Sequence, residues 1–259
     1  MINYYLTLPH MNTTIIASII ALLSGFFAGA NFINLDEPIN PLVANEDITT
    51  DNIQPSDFVS LRPNLTTLPT ETLSESETNG LLLMREEEKL ARDVYQTLYE
   101  KWGLQIFANI AQSEQTHTEA IHDLLNKYNL TDPVTNDTVG VFTNQNLQEL
   151  YNSLVTKGNL SAVEALKVGA TIEDLDINDL ERLINDTDNQ DIVLVYTNLT
   201  RGSRNHLRSF TKQLSARGEV YEAQYISSDE YQSIITSPQE SGNGQAGGNK
   251  NGRGWGQRN

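Results

Sequence analysis

The chain has 259 residues, enough for one large or two small domains with a sizeable core. Its formal charge of −17, from 34 acidic and 17 basic residues, argues against a nucleic-acid partner, because phosphate binding needs a basic surface. The chain contains no cysteine, which excludes disulfides, iron–sulfur clusters and thiolate metal sites. Any metal site would therefore use His, Asp and Glu, which favours iron, manganese or zinc.

The two ends of the chain do not predict a packed domain. Residues 14–30 form an uncharged apolar run ending in three small residues, typical of a secretory signal in residues 1–30 that is cleaved after Ala30. Residues 1–13 lack Lys and Arg, and the apolar run continues to Ile33, so an uncleaved membrane anchor is the alternative. Residues 31–78 predict an extended or disordered linker, and residues 237–259 a Gly/Asn-rich flexible tail. We therefore expect a secreted or cell-surface protein with its folded domain at 79–236.

The folded part has a helical pattern throughout, without strand pairs. The long predicted helices cover residues 81–102, 106–128, 161–184 and 191–217. Gly103 is placed to end the first, and a capping box opens the third at Ser161. A short helix at 146–157 lies in the long link between the second and third helices, and residues 220–235 are expected to pack back as a short final element. This order predicts an all-α four-helix bundle with one long crossover.

The second predicted helix carries two polar residues in its apolar face. Glu114 and His117 lie one turn apart and point the same way. Burying a carboxylate and an imidazole is costly unless something pairs with them, and a metal ion is one such partner. The apolar stripe that surrounds them comprises Phe107, Ile110, Ala111, Ile121, Leu124, Leu125 and Tyr128.

The first predicted helix offers a carboxylate at an equivalent depth. Glu88 lies in one apolar stripe and Glu87 in another, and helical periodicity does not separate them. The alternative reading of residues 86–88 is an acidic first turn favoured by the helix dipole.

The third and fourth predicted helices complete the set. Glu173 and Asp176 lie one turn apart in an apolar face, while Asp174 and Asp179 lie off that face and are expected to be solvated. His206 takes the inward position of the fourth helix, whereas His122 looks like a surface residue. Four carboxylates and two imidazoles are typical of a dinuclear iron or manganese centre. The candidate ligands are Glu88, Glu114, His117, Glu173, Asp176 and His206.

The types and spacing of these residues resemble those of the ferritin-like superfamily. The segment from Glu88 to Tyr95 resembles the Glu-x-x-Ala-x-x-x-Tyr of the first helix of ferritins and rubrerythrins, which favours Glu88 over Glu87. The Glu-x-x-His at Glu114 is similar to that of their second helix, and Glu173-x-x-Asp resembles the paired acids of the rubrerythrin third helix. Residues 81–236 look closest to an uncharacterised, often secreted, prokaryotic ferritin-like family, in phrases such as EEEKLARDVY, IFANIAQSEQTH and GSRNHLRSF.

The resemblance implies an up-down-down-up ferritin-like bundle that binds one or two Fe (or Mn) ions. It further implies a ferroxidase- or peroxidase-type oxidoreductase whose partners are metal ions and oxygen species, with Tyr95 as a catalytic residue that hydrogen-bonds a ligand. One departure is Ser203, which stands where rubrerythrin-like sites have a glutamate, so that Asp176, Asn205 or water would have to substitute. The alternative is a non-catalytic structural or adhesive cell-surface protein that uses the bundle as a scaffold. Assembly into a homo-oligomer stays open.

Overall fold

The computed structural model describes residues 65 and 67–241. Within this part of the chain all regular structure is helical, which confirms the all-α prediction. The predicted signal or anchor at 1–30, most of the linker at 31–78 and residues 242–259 of the tail lie outside the described residues. No described helix is both long and apolar enough to cross a membrane. The helices are α1 (Glu75–Trp102), α2 (Gln105–Lys127), α3 (Gln145–Gly158), α4 (Ala162–Asn185), α5 (Gln190–Ser215) and α6 (Ser228–Thr236).

Helix α1 begins six residues before the predicted start at Leu81. Ser74 is its N-cap, and the Ser74 side chain accepts from the Glu77 amide at 3.1 Å while Glu77 accepts from the Ser74 amide at 2.7 Å. This capping box satisfies two donors of the first turn. Glu77 also accepts from Thr187 and Asn189, which ties the first turn to the α4–α5 connection. Residues 86–88 are therefore well inside α1, and the reading of them as an acidic first turn is wrong.

The predicted ends of the other helices differ from the observed ones by a few residues. Gly103 ends α1 in the left-handed conformation with φ 64°, as predicted, and the Ser161 side chain caps α4. The final element is shorter than the predicted 220–235, because helix forms only at α6. The preceding residues from Tyr221 to Ile226 pack on α4 as a non-helical segment.

Neighbouring long helices pack in defined relative directions. Helices α1 and α2 run antiparallel, as do α4 and α5, whereas α1 and α5 run parallel. Gly169 permits close approach of α5, since a Cβ there would collide with the Phe210 ring. For α1 and α2 the direction follows from the contacts Glu88–His117 and Arg92–Gln115. For α4 and α5 it follows from Asp176–Ser203 and Gly169–Phe210. For α1 and α5 it follows from Gly80–Tyr196 and Tyr95–Phe210.

The buried apolar residues of the bundle form two clusters with a polar layer between them. One cluster includes Leu81, Met84, Leu124 and Leu199 near one end of the bundle. The other includes the packed rings of Tyr95, Phe107 and Phe210 toward the opposite end. On each long helix the predicted ligands lie between residues of the first cluster and residues of the second. The predicted metal ligands therefore all lie in the layer between the two apolar clusters.

The C-terminal segment is held against α5. Glu240 forms ion pairs with Arg204 at 2.6 Å and with Arg208 at 2.8 Å. Asn205 donates to the Glu240 carbonyl and accepts from its amide, both at 2.9 Å. Residues 237–240, which the sequence assigns to the flexible tail, thus pack directly over the turn of α5 that carries His206.

Candidate metal centre

Glu114 lies at the middle of the polar layer. Its side chain is buried, as is that of His117 one turn later on α2. Glu114 Oε2 is 2.7 Å from His117 Nδ1, and Glu114 Oε1 is 2.8 Å from His206 Nδ1 on α5. One carboxylate therefore contacts two imidazoles, each through a different oxygen.

Two further carboxylates complete two groups of potential ligands. Glu88 Oε2 on α1 is 3.2 Å from His117 Nδ1, and Glu173 Oε2 on α4 is 3.3 Å from His206 Nδ1. The first group is Glu88, Glu114 and His117, and the second is Glu114, Glu173 and His206. In each group the ligand atoms all lie within 4.8 Å of one another. Five of the six predicted ligands are thus brought together, and Glu114 belongs to both groups.

The two imidazoles are oriented by contacts outside the ligand groups. His206 Nε2 is 3.1 Å from Ser113 Oγ, so that the hydroxyl can fix the ring while Nδ1 faces the carboxylates. His117 lies against Gly202, where an added Cβ would be 2.7 Å from Nε2. The two rings stack with centroids 5.6 Å apart and an interplanar angle of 20°. Periodicity does not point to Ser113 or Gly202, since neither belongs to the apolar stripe of its helix.

Tyr95 supports Glu173 from the side of α1. Its hydroxyl donates to Glu173 Oε1 at 2.5 Å and lies 3.3 Å from the Gly169 carbonyl. Burial, followed by the charges of Glu173 and Glu114, raises the pKa of Tyr95 well above its ordinary value. The tyrosine therefore stays protonated and acts as a hydrogen-bond donor to a potential ligand.

Asp176 belongs to neither group and contacts Ser203 on α5. Ser203 Oγ donates to Asp176 Oδ2 at 2.5 Å and to the Leu199 carbonyl at 2.9 Å. Asp176 thus reaches from α4 to the place on α5 where the rubrerythrin-like pattern has a carboxylate. Asn205 does not substitute there, because its side chain pairs with Glu240 and Arg208 on the other side of α5.

The structure distinguishes Glu88 from Glu87. Glu88 is buried and contacts His117, whereas Glu87 is half-buried and belongs to neither ligand group. Glu87 instead faces Asp176 and Asp179, and burial with these two charges raises its pKa well above its ordinary value. His122 is 44 % exposed, as expected for a surface residue.

Two acids expected in solvent are buried. Asp174 is fully buried and accepts from the Tyr221 hydroxyl at 2.7 Å and from the backbone amides of Gln224 and Ile226 at 2.6 and 2.9 Å. Asp179 is buried next to Arg182, with Nη2 3.6 Å from Oδ1. The prediction was wrong because the segment after α5 covers this face of α4, and periodicity within a helix does not show what covers it.

Burial raises the pKa of three carboxylates of the layer. It raises the pKa of Glu88 to about 8, against the lowering effect of the neighbouring imidazole. Burial likewise raises the pKa of Glu173 and takes that of Asp176 well above its ordinary value. Burial would also raise the pKa of Glu114, but the two imidazoles that flank it hold that pKa below its ordinary value. Among these carboxylates Glu114 is therefore the one whose pKa is lowered.

The histidines show the complementary effect. Burial alone would lower both pKa values. The charges of Glu114 and Glu88 instead raise the pKa of His117 well above its ordinary value. Glu114 and Glu173 raise the pKa of His206 to about 9. A cation that binds here must displace these protons, so metal binding and proton release are coupled.

The carboxylates meet the requirements of a metal site. Glu88 Oε1 is fully buried and accepts no hydrogen bond, and Glu114 Oε1 is fully buried with only the His206 imidazole close to it. Buried carboxylate oxygens without donors are costly, and coordination to a cation would remove that cost. The donor set of carboxylate oxygens and imidazole nitrogens suits iron, manganese or zinc.

The fold and the site define an all-helical domain with two buried carboxylate–imidazole groups that could hold metal. The chain belongs to the family described as an uncharacterized protein domain, DUF2202, which matches residues 77–238. It is 61% identical over 178 residues to the uncharacterized protein MJ0754 of Methanocaldococcus jannaschii, covering 69% of this chain and 96% of that protein. A crystal structure of the hypothetical protein MJ0754 from Methanococcus jannaschii superposes with a TM-score of 0.66 and covers 67% of this chain and 99% of that chain.

Proposed function

We propose that the protein is a ferritin-like metal-binding protein with a dinuclear carboxylate–histidine centre. The observation that carries the proposal is the position of Glu114, whose two oxygens lie 2.7 and 2.8 Å from the Nδ1 atoms of His117 and His206. A carboxylate placed between two imidazoles, each with its own further carboxylate, has the arrangement of a ligand that bridges two cations.

The helix directions support a ferritin-like topology. With α1 taken as up, the antiparallel α2 is down, the parallel α5 is up, and α4, antiparallel to α5, is down. The order of the four long helices is then up-down-down-up, and the link from α2 to α4 contains α3. A bundle with one long crossover of this kind is the ferritin-like arrangement.

In the proposed centre one cation binds Glu88, Glu114 and His117, and the other binds Glu114, Glu173 and His206. Asp176 supplies the carboxylate that Ser203 cannot. Iron or manganese is the metal we expect, because hard carboxylate oxygens dominate the donor set. With iron bound, each Fe(II) would give up one electron to dioxygen or peroxide and become Fe(III), a ferroxidase- or peroxidase-type activity. In this scheme Tyr95 holds Glu173 in place, because its hydroxyl donates a hydrogen bond to Glu173 Oε1.

The test begins with metal content. The purified full chain should bind close to two equivalents of Fe(II) or Mn(II) by elemental analysis, and aerobic addition of Fe(II) should produce an Fe(III)-oxo absorption band in stopped-flow measurements. Absence of both metal and band would refute the oxidoreductase role. Binding without the band would leave a metal-binding protein that does not oxidise iron.

A second candidate is a structural or adhesive protein that uses the bundle as a scaffold, and Ser203 favours it because it weakens the second ion's ligand set. Thermal melting separates the two candidates. Ligand binding to the folded state raises the melting temperature by mass action. If the protein binds metal, Mn(II) or Fe(II) should raise its melting temperature but not that of the Glu114→Ala variant. If the bundle is only a scaffold, metal should leave both melting temperatures unchanged.

We also propose that the protein is exported, on the strength of the apolar run at 14–30 and the small residues before Asn31. Mass spectrometry of the mature protein should find Asn31 at its N-terminus. An intact Met1 in a membrane fraction would instead identify the run as an anchor.

A further inference from the structure

A cavity of about 30 Å³ adjoins the carboxylate layer. Glu88, Glu114 and Glu173 are among its lining residues, so the cavity touches both proposed ligand groups. The histidines are not among its lining residues, and they contact these carboxylates from elsewhere. Coordination positions that the protein leaves open on the cations would therefore face this cavity.

The apolar residues that line the cavity come from several elements, including the crossover helix α3. Leu150 and Leu154 lie one turn apart on α3, are both buried, and line the cavity. Helix α3 is fixed at this place by side-chain contacts with α1. Trp102 Nε1 donates to the Gly158 carbonyl at 2.9 Å, and the Tyr151 and Thr97 hydroxyls are 2.7 Å apart. These contacts hold α3, and with it Leu150 and Leu154, in place at the cavity.

The size of the cavity limits what it can hold. A single water needs at least about 10–15 Å³ of such volume, so this cavity has room for roughly two or three heavy atoms. The lining combines apolar side chains with the carboxylates of the layer. This lining suits a small ligand that binds a cation at one end and contacts apolar side chains at the other.

We propose that this cavity is the pocket for an exogenous ligand of the metal centre, and that Leu150 and Leu154 restrict it to ligands of two or three heavy atoms. Dioxygen, hydrogen peroxide and azide belong to this size class. The inference rests on the proposed function, since the ligand binds to the cations of that centre. It adds a role for α3, which excludes larger ligands from the centre.

The experiment uses the full chain loaded with Co(II), whose visible spectrum reports ligand binding. Azide is the small probe, and butyrate, with three more heavy atoms, is the large one. In the wild-type protein azide should change the spectrum and butyrate should not. Leu154→Ala removes three carbon atoms from the cavity wall and makes room for the larger ligand. It should therefore raise the affinity for butyrate relative to azide by about tenfold or more.

Leu147→Ala is the matched control. Leu147 is a buried leucine on the same helix and does not line the cavity, so its variant should behave like the wild type. An equal response of the two variants would overturn the inference, as would a spectrum that azide does not change. Failure to bind Co(II) at all would instead overturn the proposed function.

Xenon supplies a readout that needs no metal. In pressurised crystals of the metal-free wild-type protein, xenon should occupy the space between Leu150, Leu154 and Glu173. Its absence there would overturn the inference even if Leu154→Ala failed to fold.

Discussion

Asp176 on α4 accepts a 2.5 Å hydrogen bond from Ser203 on α5, one turn before His206. A carboxylate of the facing helix thus lies against Ser203. If Asp176 is a ligand, its replacement should weaken metal binding.

Asp176→Asn should weaken binding of one of two Mn(II) ions by at least about tenfold, or about 1.4 kcal/mol, because the amide carries no charge. Isothermal titration calorimetry with Mn(II) would measure the two affinities. Ser203→Ala, which keeps the carboxylate, should have a smaller effect. Two unchanged affinities in Asp176→Asn would show that Asp176 is not a ligand.

Glu114→Gln should remove both ions, because Glu114 belongs to both ligand groups. The isosteric change preserves volume and removes the negative charge that faces the two imidazoles. Elemental analysis of the purified variant measures the loss. Glu119→Gln changes an exposed glutamate on the same helix and should retain the full metal content. Retention of one ion by Glu114→Gln would mean that the carboxylate does not bridge.

The stability of the metal-free protein should fall as the pH rises from about 6.5 to 9. The pKa of His206 is raised from 6.5 to about 9, so its contribution is complete below 6.5 and is lost as the pH rises through 9. The pKa of Glu88 is raised to about 8, which acts in the same direction. Glu114, with its lowered pKa, contributes above 4.5 and loses that contribution in acid.

Melting temperatures across this pH range, with EDTA and with Mn(II), test this behaviour. The metal-loaded protein should lose less stability toward pH 9, because cations replace the protons and bind more tightly as protons leave. Parallel curves with and without metal would contradict the proposed coupling.

Gly202→Ala should weaken the ion bound by His117 and spare the one bound by His206. The added Cβ would lie 2.7 Å from His117 Nε2 and 2.8 Å from Cε1, so the ring must shift. Alanine otherwise favours a helix over glycine by about 1 kcal/mol, so a loss of metal would not reflect a weaker α5. Crystals of the variant soaked in Mn(II) would show which position is empty. Full occupancy at His117 would show that the ring tolerates the shift.

Asp174→Ala should destabilise the protein by about 3 kcal/mol or more. The change leaves the buried amides of Gln224 and Ile226 and the Tyr221 hydroxyl without their acceptor. Chemical denaturation measures the loss. Asp188→Ala, at an exposed position in the α4–α5 connection, should stay within about 0.5 kcal/mol of the wild type.

The sequence predicts those parts of the fold that depend on one helix at a time. Glu114 and His117 can be found because α2 presents them inside an otherwise apolar stripe. Glu87 and Glu88 cannot be separated in this way, since adjacent residues on α1 each fit a plausible stripe and only the position of His117 on α2 decides between them. The buried state of Asp174 depends on a segment about 50 residues away, which no local pattern reveals. Ser74 was missed because its capping box lies in a polar stretch that reads as linker.

The pairing of Glu240 with Arg204 and Arg208 has a practical consequence for anyone shortening the gene. A fragment that stops where α6 stops would remove the carboxylate that pairs with both guanidinium groups beside the turn that carries His206. Expression boundaries should accordingly be drawn beyond Glu240 and before Leu65, which is buried in the core and whose carbonyl accepts a hydrogen bond from Lys127.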